Sequence, residues 1–568
     1  MKKLWLPLAV SVIALGQESV DLTNDAKMRS EELEHSQILH TLHMLTDRYG
    51  PRVTGTPNHE LAAKWAVAEM TSWGMKNGHL EPWEFGHPGW LNETADGHII
   101  APVKENLKFE VLAWTPSTAG KVTSSVVQVI APEGPLAPTP AVDPAAAAGG
   151  GRGGRGGRGG GGRGAAGPVH LGPTKDEMAA WVAANSGKVK GKMVMVGKAA
   201  VIPVNFDPPA KRQDDETVKA NYDPNNPNAG RGGRGGFGGG AGRGGATDPN
   251  RLTAVQVGDE IDKMLVANGA LVRINDAARG EGIIVAQQHR GYDSATAVPT
   301  VIVRNDDYGR MERLIADGED VQMTFDIVNH IYPEGKTSYN AIAEIPGSDK
   351  ADEVVMLGGH LDSWHSATGA TDNAIGCSIM MEAARLIQNA GIKPRRTIRV
   401  ALWSGEEEGL LGSLAYVKAH FGTAEDPKPE WFKLDGYFNV DTGTGRIRGA
   451  SVFGPAEAAA VIRPVLKQFE EWGVGGALPT SSRAVGGTDS TSFNNAGLPG
   501  IGMSQDPIEY NSMTHHTNLD TYERIVPDDV KKDAVIVAAQ LLHLANRDSM
   551  LPRFTKETMP APVAVRQF

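Results

Sequence analysis

Residues 354–407 read VVMLGGHLDSWHSATGATDNAIGCSIMMEAARLIQNAGIKPRRTIRVALWSGEE. The short apolar run Val354–Leu357 reads as a buried strand, and so does Ile398–Trp403. Between them, Ala374–Ala390 carries apolar residues at helical spacing and is long enough to cross from one parallel strand to the next. The alternation starts at Asn340 and continues beyond this stretch, with a helix at Leu410–His420, a strand at Tyr437–Val440 and helices at Pro455–Trp472 and Asp528–Arg547. Strands alternating with helices predict an α/β fold, a mostly parallel twisted sheet flanked by helices.

N-terminal to this region the pattern differs. Apolar residues at helical spacing between Ser36 and Trp73 predict two helices, separated by the turn-rich GPRVTGTP of residues 50–57. Strand-like segments follow at 122–130, 192–196, 271–274, 282–285 and 300–303, with a helix at 260–268. These predict an inserted β-rich domain. Two low-complexity tracts interrupt it, GGGRGGRGGRGGGGRGAAG at 149–167 and AGRGGRGGFGGGAGRGGA at 229–246. Neither has apolar surface to bury, so both are expected to be disordered surface insertions.

The chain has 568 residues, more than one hydrophobic core usually supports. Its net charge of -11 disfavours a general attraction to nucleic acid or to an anionic membrane. Arg-Gly-Gly repeats can bind single strands, but Phe237 is the only aromatic residue in the two tracts, so no nucleic-acid partner is expected. With Cys377 as its single cysteine the chain cannot form an intramolecular disulfide, and the apolar helical context of Cys377 predicts a buried, inert thiol. At the N-terminus, Lys2 and Lys3 precede an apolar run from Leu4 to Leu15 and a small-residue Ala14-Leu15-Gly16 step. That run falls short of the ~20 residues that span a bilayer, so residues 1–16 read as a secretory signal peptide, with export to a periplasm or the exterior and no stable membrane insertion after cleavage.

Metal-binding residue types cluster just past the predicted strand ends, where α/β sheets place their sites. His360 follows VVMLGG, the acidic run Glu406-Glu407-Glu408 follows Ile398–Trp403, and Asp441 follows Tyr437–Val440. Asp372 precedes a helix within GATDNAIG, and His515 and His516 lie in the loop THHTNLDTY. Taken singly, each has an ordinary reading: a structural histidine, a helix cap, a solvated first turn. Together, two imidazoles and three carboxylates, one of them bridging, suffice for two zinc ions roughly 3.5 to 4 Å apart. The spare carboxylate would be a general base. Spacing alone leaves open which member of each run, 406–408 and 515–516, takes which part.

The segments GGHLDSW, GATDNAIG, WSGEEEGLLGS, FNVDTG and HHTNLDTY resemble, in order, the motifs of the co-catalytic di-zinc peptidases, a family that includes bacterial leucyl aminopeptidases and glutamate carboxypeptidases. RVTGTP, AAKWAVAEM and EPWEFG further resemble its plasma glutamate carboxypeptidase (carboxypeptidase Q) branch, in which a protease-associated domain is inserted. The Gly/Arg tracts depart from the family pattern. The resemblance implies a catalytic domain in two parts, 17–117 and 337–548, around a protease-associated domain at 118–336, with a tail at 549–568. It implies two zinc ions per chain, one held by His360 and Asp441, the other by Glu407 and His516, with Asp372 bridging. Glu406 becomes the general base, Glu408 is expected to be exposed, and Asp362 is expected to accept the other N–H of His360 and so tune it. Trp364, His365 and His515 become candidates for substrate contact. The implied activity is exopeptidase hydrolysis of dipeptides or N-terminal residues. The alternatives are a carboxypeptidase reading a C-terminal carboxylate through an arginine such as Arg483, and a non-catalytic binding relative. A homodimer is left open.

Overall fold

Val355 and Leu357 face one side of their strand and Met356 the other, and all three are fully buried. A strand apolar on both faces must be covered on both, and it is. The structure, a computed structural model, describes residues 20–137, 170–204, 206, 211–230 and 248–563. The expected signal peptide at 1–16 and the Gly/Arg tracts, apart from Ala229 and Gly230, lie outside the described residues.

One eight-stranded sheet runs in the order Lys76–Glu84, Thr337–Ile345, Arg396–Trp403, Lys350–His360, Leu434–Val440, Gly500–Gln505, Ile447–Phe453, Gly476–Thr480. The four strands from Arg396–Trp403 to Gly500–Gln505 are mutually parallel, as expected, while antiparallel strands extend both edges. Helices Pro57–Ser72, Ile375–Asn389, Ala456–Lys467 and Pro527–Asn546 bury their apolar stripes on one face, with Val355, Ile398, Val400 and Phe438. The other face packs Met356, Trp403 and Tyr437 against Tyr416, Val417 and Phe493 from Leu411–His420 and Ser490–Asn495. Cys377 is fully buried in the first of these layers, with Sγ 3.0 Å from the carbonyl of His360.

Lys76–Glu84 and Thr337–Ile345 pair antiparallel, so the chain leaves this sheet and returns to it at one edge. Between them lies a second eight-stranded sheet, which begins at Gly89–Ala101 and ends at Gln322–Tyr332. It also carries helices Lys175–Asn185, Ala254–Ala267 and Asn305–Ala316. The helix expected at 260–268 starts earlier, because Thr253 and Gln256 form a capping box that sets its first turn at Ala254. The strand expected at 282–285 does not form. Its segment makes a single antiparallel bridge, Val285 to Thr517, to a loop of the other domain. Helix Asp215–Tyr222 leaves the second sheet and docks on the first, where the Tyr222 ring sits on Gly449 and Arg448 pairs with Asp215. Among the described residues, no helix is long and apolar enough to cross a membrane.

Candidate metal centre

The parallel strands of the first sheet deliver four of the predicted residues to one end. His360 is the last residue of its strand, Asp441 follows Leu434–Val440, and Glu406 and Glu407 follow Arg396–Trp403 across a turn. Asp372 stands just ahead of helix Ile375–Asn389. Gly369 enters that segment at φ +63°, where a Cβ would lie 2.3 Å from Ser363 Cβ, so only glycine lets the two loops approach.

The side chains converge. Asp372 Oδ1 lies 3.3 Å from His360 Nε2, and Asp372 Oδ2 lies 3.2 Å from His516 Nε2. Asp441 Oδ1 is 3.3 Å from His360 Nε2, and Glu407 Oε2 is 2.9 Å from His516 Nε2. Asp372 is thus shared by two groups, one with His360 and Asp441, the other with His516 and Glu407. Ligand-type atoms of His360, Asp372 and Asp441 come together, and so do those of Asp372, His515 and His516. His515 is the more distant of the two neighbouring histidines, with Nε2 3.7 Å from Asp372 Oδ2 and its ring against that of His516. His516 has φ +60°, a left-handed conformation uncommon outside glycine and frequent at functional sites.

The electrostatics point the same way. Asp362, Asp372, Glu408, Asp441, Asp489 and Asp520 are all buried around this centre, and the side chain of Glu407 is only 3 % exposed. Burial, reinforced by the charges of Asp441, Asp489 and Glu407, holds the Glu406 carboxyl well above the usual range despite His360. Burial also pushes Glu407 and Asp489 up to about 7. Burial opposes charging His360, but Glu406 and Asp441 outweigh it and raise its affinity for a proton. So many buried carboxylates with so few cations are stable only with protons or metal ions among them. Glu407 Oε1 is buried and receives no hydrogen bond among the described residues. An oxygen so placed suits a cation, and the imidazole and carboxylate donor set suits zinc.

The supporting contacts differ in places from the sequence expectation. His360 Nδ1 lies 3.0 Å from the backbone carbonyl of Asp362, whereas the Asp362 carboxylate is 3.7 Å away. That carboxylate instead accepts from the backbone N–H of Glu407 (3.1 Å) and from Thr54 Oγ1 (3.3 Å). Glu408, expected to be exposed, is 6 % exposed. The turn at 406–410 folds back, with Gly409 N and Leu410 N both donating to Glu406 O, and it directs Glu408 inward toward Thr54. Trp364 lines a cleft beside the centre together with Ser366, Ala367, Asp372, Glu407 and His516. His365 is not in that lining: its Nε2 lies 2.6 Å from the carbonyl of Val111 in the second sheet. Arg483 is 1 % exposed and committed to Glu425, Asn495 and Pro560, away from the cleft.

Several residues that hold the centre had no signal as ligands. Arg52 is fully buried and donates to four backbone carbonyls: Leu361 (2.6 Å), Leu45 (2.7 Å), Thr368 (2.8 Å) and Gly369 (3.0 Å). It ties the His360 loop to the Asp372 loop. Asp520 accepts from Thr371 N (2.6 Å) and Asp372 N (3.1 Å), which fixes the backbone of the shared carboxylate. Asp520 is the acid of the segment HHTNLDTY. Tyr510 is buried with its ring 4.9 Å from that of His515.

Comparison with known proteins places this geometry. Residues 340–540 match the profile of Peptidase family M28. Carboxypeptidase Q of Mus musculus is 30% identical over 261 residues, 46% of this chain and 53% of that protein. Leupeptin-inactivating enzyme 1 of Streptomyces exfoliatus is 34% identical over 172 residues, 30% of this chain and 36% of that protein. The chain therefore spans about half the length of the carboxypeptidase Q relatives it matches. A crystal structure titled as a peptidase M28 precursor, from Shewanella amazonensis, shares the fold with a TM-score of 0.60 at 23% identity, over 94% of this chain and 98% of that one. The match to Peptidase family M28 thus lies in residues 340–540, the part of the chain that carries the candidate ligands.

Proposed function

We propose that the chain is an exported, zinc-dependent exopeptidase that hydrolyses dipeptides or removes N-terminal residues from peptides. The observation that carries this is the shared carboxylate Asp372, one oxygen near His360 and the other near His516. In this reading His360 and Asp441 would hold one zinc and Glu407 and His516 the other, with Asp372 shared between them, and zinc so held would acidify a water and polarise the scissile carbonyl.

The remaining work belongs to the protein. Glu406, 3.8 Å from His360 Nε2, is the group free to take the proton of the attacking water and return it to the leaving amine. Asp362 fixes the backbone of Glu407, and the carbonyl of Asp362 holds the His360 ring with Nε2 facing the carboxylates.

Arg483, the arginine considered for reading a C-terminal carboxylate, is buried away from the cleft and paired with Glu425, which supports the aminopeptidase reading. The second sheet, which starts at Gly89–Ala101 and so ahead of the expected boundary at 118, is proposed as a protease-associated domain, and residues 1–16 as a signal peptide. The test is a panel of unblocked dipeptides, N-blocked peptides and C-terminally amidated peptides, with and without chelator. Chelator-sensitive cleavage of unblocked and amidated substrates is expected. Cleavage of N-blocked but not amidated peptides contradicts the aminopeptidase reading.

A further inference from the structure

The two histidines of the centre are held by different parts of the molecule. His360 Nδ1 faces the Asp362 carbonyl, within its own sheet. His516 Nδ1 faces Nε2 of the Gln287 side-chain amide, 2.8 Å away, on a residue from the domain of the second sheet.

The Gln287 loop is fixed on both sides. Toward the centre, Ile284 N donates to Asn518 Oδ1 (2.9 Å), Asn518 N donates to Ile284 O (3.0 Å), and Asn518 Nδ2 donates to Gly282 O (3.2 Å). Val285 bridges Thr517 in the same antiparallel register, so the loop runs alongside residues 517–518. Toward its own domain, Ala113 N donates to Gln287 O (3.0 Å), and His289 N donates to Ala113 O (3.2 Å). Beyond that, Asp262, 3 % exposed on helix Ala254–Ala267, gathers Arg273 Nη1 (2.6 Å), Arg290 Nε (2.5 Å) and His289 Nε2 (2.9 Å). A continuous set of bonds therefore leads from the helix of one domain to a histidine of the other.

We propose that Gln287 is a positioning residue through which the second domain holds His516 in place for one of the two metals. The proposal rests on the metal reading given above. An amide can turn its oxygen toward His516, accept Nδ1–H and so fix the tautomer that leaves Nε2 free to bind metal. His516 Nε2 then faces Glu407 Oε2 and Asp372 Oδ2. Loss of the amide leaves the His360 group untouched, so the two metals should respond differently.

The experiment is zinc competition with a chelator, followed by mass spectrometry of metal content, on the full chain and on Gln287→Leu and Gln287→Glu. The parent is expected to hold two zinc ions. Gln287→Leu should keep one with parental affinity and bind the other about 10- to 100-fold more weakly, the range for removing such a support. Gln287→Glu still accepts Nδ1–H and should hold both at least as tightly as the parent. The melting temperature of the metal-free proteins should be alike. Parental affinity at both sites in Gln287→Leu overturns the proposal, and so does equal weakening of both. Should Gln287→Leu fail to fold, weakened zinc in Gln287→Glu overturns it alone. A parent that binds no zinc overturns the metal reading itself and is recognised because all three proteins then behave alike.

Discussion

The Glu406 carboxylate stands 3.8 Å from His360 Nε2, on the side of the imidazole where Asp372 and Asp441 also converge. It is near the metal-type residues without being needed to complete either histidine group. Glu406→Gln keeps the shape and removes the base. Turnover is expected to fall by about 10²- to 10⁴-fold, with zinc content unchanged by elemental analysis. Loss of zinc in this variant would make Glu406 a ligand instead.

Arg52 connects ligand loops far apart in sequence through four carbonyls, and its guanidinium is wholly buried. A lysine can neither span these acceptors nor match the planar fork. Arg52→Lys should lower the unfolding free energy of the metal-free protein by about 2–4 kcal/mol in urea titration. A change under about 0.5 kcal/mol, typical of an exposed site, contradicts the role assigned to it.

A pH effect is expected far from the centre. Glu32, on helix Leu22–His35, is 4 % exposed and lies against helix Ile375–Asn389, where buried Glu382 is bound by Arg385. Burial, then the neighbouring Glu382, pushes the Glu32 carboxyl from 4.5 up to about 9. Below the unfolded value of 4.5 both states carry the proton and nothing is lost. Between 4.5 and about 9 the unfolded chain ionises while the folded chain keeps its proton, so this contribution declines as pH rises. Glu32→Gln should therefore be more stable than the parent at pH 8, by on the order of 1–3 kcal/mol, with the gap closing near pH 4. A gap that does not vary with pH contradicts this account.

The centre was readable where chemistry coincides with strand ends. His360 and Asp441 close strands whose apolar runs are plain in the sequence, and Asp372 announces a helix. What could not be read was support carried by backbone groups. Arg52 reaches Thr368 and Gly369 across more than 300 residues, and it does so through carbonyls that every residue has. Gln287 meets His516 across 229 positions. Glu408 departs from the sequence expectation: charge runs ahead of a helix are usually solvated, whereas here a turn closing on Glu406 O directs the third carboxylate inward. The long pair Gly89–Ala101 and Gln322–Tyr332 carries no plain strand pattern, because its mixed polar residues follow a sheet with stretches open to solvent.

The most direct test of the central claim is stepwise zinc titration of chelator-stripped protein, with bound metal and dipeptide hydrolysis measured on the same samples. Two zinc ions per chain are expected, with hydrolysis returning as they bind and absent from the stripped protein. Full hydrolysis by folded protein containing less than one zinc per ten chains would contradict it.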